Sequence, residues 1–165
     1  MKTRTQTLVL ASMLAALTCV ATMIIKVPSP LNGYINLGDV IVLLSGWLLS
    51  PVLGFCSAGI GSALADVFSG YMVYAPATFV IKGVMALVCG LTFKAMSKNG
   101  KNFVPAVITG IIAEIIMIGG YYVFEGFLYG FIPSLANIPA NAVQGVAGIV
   151  VSVPLLNVFK KTKLF

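Results

Sequence analysis

Apolar residues run along the chain in six blocks, at roughly 5–26, 38–50, 52–70, 76–96, 104–124 and 138–159. The breaks between them carry Pro and Gly: Pro28, Pro30 and Gly33, then Pro51, Gly70 ahead of Pro76, Gly100, Pro133 and Pro139. A helix needs about 20 apolar residues to cross a membrane. The pattern therefore predicts an all-α polytopic membrane protein, a bundle of six transmembrane helices forming a single domain over 1–165. Pro51, Pro76, Pro105 and Pro139 each stand where a first helical turn would begin, the place a helix tolerates proline. The second and third blocks are short, so one of them is expected not to cross fully.

Polar residues interrupt these blocks at helical spacing. Ser62, Asp66 and Ser69 share a face of the third span, and Thr78, Lys82 and Ala86 share one of the fourth. Glu114, Met117, Tyr121 and Glu125 line the fifth, and Asn137, Asn141, Gln144 and Gly148 the sixth. At about 1.5 Å per residue, Lys82 lies about 9 Å, Asp66 about 6 Å and Glu114 about 15 Å below one end of their helices. Ionisable groups at such depth face a cavity or a partner rather than lipid. Four polar stripes converge in one half of the bundle, next to the segment Leu31-Asn32-Gly33-Tyr34-Ile35-Asn36. That convergence predicts a ligand pocket.

Basic residues fix the orientation. Lys2 and Arg4, then Lys94, Lys98 and Lys101, then Lys160, Lys161 and Lys163 fall on one side of a six-span protein, with no acidic residue among them. That side is expected to be cytoplasmic, so both termini are cytoplasmic. Loops 27–37, 71–75 and 125–137 then face out, and the pocket opens outside. The run Leu8 to Ile25 is read as a retained first span rather than a signal peptide.

Composition agrees. The 165 residues are 59% hydrophobic and 8% charged, with a mean hydropathy of +1.06. A soluble domain is about 25% charged. Topology and anionic lipid account for the formal charge of +6, so nucleic acid is not an expected partner. With no His, a His base, a Ser-His-Asp triad and His-ligated metal are excluded. Cys19, Cys56 and Cys89 read as small buried hydrophobes. There is no P-loop, no G-x-S-x-G and no zincin motif. No catalytic residue, metal or cofactor is expected, and any ATPase must be another protein.

Each polar residue also has a structural reading. Lys82 could pair with Glu114 or Asp66, and Asp66 could cap the following loop. Asp39 suits the helix dipole of the second span. Lys26 is expected to snorkel to headgroups, and Trp47 to sit in an interfacial belt, a role also open to Tyr34, Tyr121 and Tyr122. Asn141 and Gln144 could instead join helices. A small-residue patch, Ala11 and Ala15 beside Ala16, permits close helix contact on the first span.

Four stretches carry a family resemblance: Gly33-Tyr34-Ile35-Asn36-Leu37-Gly38-Asp39, Ser50-Pro51-Val52-Leu53-Gly54, Gly59 to Asp66, and Tyr74-Ala75-Pro76-Ala77-Thr78-Phe79-Val80-Ile81-Lys82-Gly83. They resemble the substrate-binding S components of energy-coupling-factor (ECF) vitamin transporters, in the branch for hydroxymethylpyrimidine- or pyridoxine-type substrates. The resemblance implies a multi-pass subunit of the bacterial plasma membrane that binds a vitamin from outside. It docks on a membrane coupling subunit, the T component, attached to two ABC ATPases. It also implies docking contacts at Ala11 and Ala15, a lid near Tyr34 and Asn36, and ligand contacts at Lys82, Glu114, Asn141 and Gln144. Tyr34 or Tyr121 would stack on the ring. Riboflavin or another vitamin remains an alternative. So do a stand-alone carrier using Glu114 or Asp66 as a proton site, a membrane enzyme using Glu114 and Lys82, and an assembly protein.

Overall fold

The computed structural model describes residues 3–31, 33–97 and 102–161. Lys2, Asn32, Lys98, Gly100, Lys101 and Lys163 lie outside them, and Lys160 and Lys161 are described by their backbone alone.

Six helices, five of them long, follow the six apolar blocks: α1 Arg4–Ile24, α2 Gly38–Leu48, α3 Pro51–Phe68, α4 Ala75–Met96, α5 Phe103–Tyr129 and, after the short turn α6 Phe131–Ser134 and a 3-10 turn Leu135–Asn137, α7 Ile138–Lys161. Their starts follow local chemistry. Thr3 Oγ1 accepts from the Gln6 amide while Gln6 Oε1 accepts from the Thr3 amide, closing a capping box on α1. Ser50 caps α3, with Pro51 as its first residue. Asn36 Oδ1 accepts from the Gly38 amide at 2.8 Å and opens α2.

The count of six full spans is not confirmed, and one loop expectation is corrected. The structure has five helical stretches long and apolar enough to cross a membrane: α1, α3, α4, α5 and the run Phe131–Phe159. The second expected span, α2, has 11 residues and rises only about 16 Å, against a hydrocarbon core of about 30 Å; it is the short block expected not to cross fully, yet it still returns the chain between α1 and α3, whose ends meet at Lys26 and Ser69. It is short because Asn36 starts it and Ser50-Pro51 starts the next helix at once. The expected outer loop 125–137 is largely helical, since α5 continues to Tyr129 and stops at Gly130, whose φ is 94°. In addition, the segment after α1 forms a small antiparallel pair, β1 (Val27–Pro28) with β2 (Tyr34–Ile35), in register Val27↔Ile35 and Pro28↔Tyr34.

Short α2 is the centre of the packing. It contacts α1, α3, α4 and α7, and Val42, Leu43 and Leu44 are fully buried. In lipid, helices gain little from hydrophobic transfer and are held by close packing and hydrogen bonds. Both are visible between α1 and α3. A Cβ on Gly61 would stand 2.3 Å from the Ala15 carbonyl oxygen, so only glycine allows this approach. Ser57 Oγ also donates to the Ala11 carbonyl at 2.9 Å. Trp47, expected in an interfacial belt, is buried in the core instead, where its Nε1 donates to Thr109 Oγ1 at 3.0 Å. The outward faces of α1, α5 and α7 carry exposed Leu8, Val9, Ile115, Val143, Val146 and Val150, as lipid-facing surfaces should.

Candidate ligand-binding site

Side-chain bonds show which helix ends meet. Past the end of α1, Lys26 Nζ donates to Ser69 Oγ at the end of α3, at 2.5 Å, rather than extending freely. Tyr121, late in α5, donates to Thr78 Oγ1 near the start of α4 at 3.1 Å. Asn36, just before α2, donates its backbone N–H to Gln144 Oε1, early in α7, at 2.8 Å. The ends of α1, α3 and α5 thus lie beside the beginnings of α2, α4 and α7, as consecutive antiparallel helices require.

A cavity of about 40 Å³ opens at this end. Four tyrosines wall it, Tyr34, Tyr71, Tyr74 and Tyr121, together with Asp66, Glu125, Asn36, Asn137, Asn141, Gln144, Thr78 and the loop residues Ser29 and Gly33. Tyr34 comes from β2, packs its ring 4.8 Å from that of Tyr71 and donates to Asp66 Oδ1 at 2.7 Å. Burial, then the Asp66 charge, push the Tyr34 hydroxyl above its usual range, so it remains a donor. Tyr74 donates to the Leu31 carbonyl at 2.9 Å and reaches Glu125 Oε1 at 3.4 Å. Asn137 Nδ2 donates to the same oxygen at 2.7 Å. The β1–β2 segment is thereby fastened over the cavity from two sides.

Beneath the cavity lies a second polar layer. Lys82 pairs with Asp39 Oδ1, not with Glu114 or Asp66. Gln144 Nε2 donates to Asp39 Oδ2 at 2.5 Å, and Lys82 Nζ sits 5.4 Å from the Tyr121 ring centroid. Asp39 is in the first turn of α2, as the dipole argument requires, but it is also completely buried and joins α2, α4 and α7. Glu114 packs against the glycines of α7: a Cβ on Gly145 would be 3.0 Å from its Oε2, and one on Gly148 3.1 Å from its Oε1. Both Glu114 oxygens are buried without a hydrogen bond among the described residues.

Of the seven residues expected to contact ligand, Tyr34, Asn36, Tyr121, Asn141 and Gln144 line the cavity; Lys82 and Glu114 do not. Depth alone grouped those two with the pocket, but the bond from Gln144 to Asp39 separates the layers. Asp66 does not cap its loop through its side chain. Its carbonyl accepts from the Ser69 and Tyr71 amides, which frees the carboxylate for Tyr34 and the cavity. Sequence reasoning missed Tyr71 and Tyr74. Their signal was two tyrosines in a five-residue loop beside the Asp66 end of α3.

Ala11 and Ala15 lie elsewhere, with Ser12 and Ala16, in an open apolar groove of about 580 Å³ whose other wall is Leu53, Cys56, Ile60, Leu64 and Phe68 of α3.

A family model described as "ECF-type riboflavin transporter, S component" matches residues 2–161. The chain belongs to the S components of ECF transporters. A solved structure of the S component of a bacterial ECF transporter superposes with a TM-score of 0.75 at 28% identity, covering 97% of this chain and 98% of that one. An uncharacterized protein of Pyrococcus woesei is 36% identical over 143 residues, 86% of this chain and 93% of its own length. The thiamine precursor transporter HmpT of Lactococcus lactis subsp. cremoris is 25% identical over 137 residues, 82% of this chain and 75% of that protein. This S component is therefore a multi-pass plasma-membrane transport subunit, and not an enzyme. S components work with a T component and ATPases.

Proposed function

We propose that this S component captures a small, single-ring vitamin or vitamin precursor of the hydroxymethylpyrimidine or pyridoxine type from outside the cell, for ATP-driven uptake by its partner subunits. The observation that carries this is the cavity itself: about 40 Å³, walled by four tyrosines and by amide and carboxylate side chains. Aromatic walls suit a flat ring, and convergent polar groups orient it. A single ring needs small displacements of the β1–β2 segment. Tyr34, Asn36, Tyr121, Asn141 and Gln144 make the ligand contacts, while Lys82 and Glu114 act from beneath through Gln144 and α7. Both termini are cytoplasmic and the cavity faces out. Ala11 and Ala15 belong to the surface that meets the T component, with two ABC ATPases behind it.

The description of the matching family model favours a second ligand, riboflavin. Three fused rings and a ribityl chain require much wider opening of the same cavity. Mass spectrometry of small molecules that co-purify with the protein, then titration with hydroxymethylpyrimidine, pyridoxine and riboflavin, separates the readings. A saturable single-ring ligand is expected. Tight binding of riboflavin alone would overturn the proposal. Gradient-driven flux by the isolated chain in liposomes would point to the stand-alone carrier.

A further inference from the structure

Five side-chain donors of the cavity wall are spent inside the protein, while three buried acceptors are not. Tyr34 OH is spent on Asp66, Tyr74 OH on the Leu31 carbonyl, Tyr121 OH on Thr78, Gln144 Nε2 on Asp39 and Asn137 Nδ2 on Glu125. Against this, Asp66 Oδ2, Glu125 Oε2 and Asn137 Oδ1 are buried with no partner among the described residues. Asp66, Glu125 and Asn137 are 5%, 2% and 2% exposed, so bulk solvent does not serve them. No lysine or arginine lines the cavity among the described residues, because Lys82 is held below by Asp39. The Asn137 amide orientation follows from its bond to the carboxylate, since the flipped amide would set oxygen against oxygen. Gly33 brings the lid backbone close to this pair. A Cβ there would stand 3.6 Å from Asn137 Nδ2 and 3.8 Å from Glu125 Oε1.

We infer that Glu125 and Asn137 form a subsite for the amino group of an amino-substituted nitrogen heterocycle, with Asp66 accepting a further N–H or O–H from the opposite wall. This rests on the single-ring reading above and selects within it. An aromatic primary amine has two N–H bonds, and Glu125 Oε2 and Asn137 Oδ1 supply one acceptor for each. An oxo group in the same place would turn its own lone pairs towards a carboxylate and an amide oxygen. A ligand bearing only hydroxyls gives one donor where two acceptors wait. Buried polar groups left unpaired are what make such sites discriminate strongly.

The test is isothermal titration of the detergent-purified full chain with 4-amino-5-hydroxymethyl-2-methylpyrimidine, its 4-oxo counterpart, pyridoxine and riboflavin. The amino compound is expected to bind about 100-fold tighter than the oxo compound. Glu125→Gln, which offers an N–H where Oε2 stood, is expected to cut that ratio to below about tenfold. Where Glu125→Gln does not give monodisperse protein, Asn137→Ser reads the same ratio. Equal or tighter binding of the oxo compound or of pyridoxine overturns the amino subsite and leaves the single-ring reading standing. Binding of riboflavin alone, or of none of the four by folded protein, overturns both.

Discussion

Lys82→Met probes the layer on which the cavity rests. The Lys82 and Asp39 side chains are 4% and 0% exposed. Methionine keeps most of the apolar stem and removes the ammonium group. Asp39 then keeps Gln144 on Oδ2 and loses the cation at Oδ1. Removing one member of a buried ion pair costs about 3–5 kcal/mol, mainly because the other charge stays buried. In a chain of this length each kcal/mol moves Tm by roughly 2–4 °C, so the expected fall is roughly 6–20 °C. Asp39→Asn strands Lys82 against the Tyr121 ring and should cost a similar amount. The double variant removes both charges and should recover about half of the summed loss or more, because a neutral replacement of a buried pair is often tolerated. The assay is the thermal loss of the monodisperse peak in detergent for wild type, both single variants and the double variant. Strictly additive losses, or a Lys82→Met protein within about 1 °C of wild type, would refute the assignment of this pair as the bolt between α2 and α4.

Other perturbations follow from the same geometry. Glu114→Gln keeps shape and replaces a buried carboxyl group that makes no hydrogen bond among the described residues, so Tm should stay level or rise; a fall of more than about 5 °C would mean that the carboxyl group is paired. Tyr34→Phe removes the Tyr34–Asp66 bond at 2.7 Å and should weaken ligand binding about tenfold, since the loss exposes a second carboxylate oxygen; unchanged affinity would show that the β1–β2 segment is held without it. Gly61→Ala places a Cβ 2.3 Å from the Ala15 carbonyl and should cost about 1–3 kcal/mol in thermal melts by pushing α1 off α3; an unchanged melt would refute that contact. Ala15→Trp should fill the α1–α3 groove, leaving binding by the isolated chain intact while lowering its recovery with a co-expressed T component; undiminished recovery would move docking elsewhere.

Much of this architecture is legible in the chain. Pro51, Pro76, Pro105 and Pro139 all fall within the first three residues of their helices, where proline costs least; Pro154, inside α7, is the exception among the described residues. The four polar stripes also face inward: Asp66, Thr78, Lys82, Glu114, Glu125, Asn137 and Gln144 are all buried, as a polar group inside a lipid-facing bundle must be. Helical spacing could not say how those stripes pair across helices. Depth offered Lys82 two carboxylates on other helices, Glu114 and Asp66, and its pairing with Asp39 instead is made by the close seating of α2, which no periodicity within α4 encodes. Trp47 was misplaced for the same reason. A tryptophan near a helix end reads as interfacial until Thr109 of α5 is seen to meet its indole. The tyrosines of the 71–74 turn were invisible to spacing because they lie on no helical face; the Tyr34–Tyr71 contact and the Tyr74 bonds to Leu31 and Glu125 bring them to the site.

The two polar layers explain each other. A lysine at the depth of Lys82, left free, would pair with any carboxylate within reach, and Asp66 and Glu125 would then be spent inside the protein. Asp39, set at the start of a helix too short to span, removes that cation from the cavity and holds Gln144 in place with its other oxygen. Gln144 in turn accepts from the Asn36 backbone, so the same residue that seals the lower layer tethers the segment closing the upper one. A ligand that draws on Gln144 or Asn36 must therefore disturb both the lid and the α2–α4–α7 junction. In a bundle where close packing supplies most of the cohesion, that junction is where occupancy of the cavity would be felt by the packing of α2, α4 and α7. The Lys82→Met variant should accordingly weaken ligand binding as well as the fold, although Lys82 does not itself line the cavity.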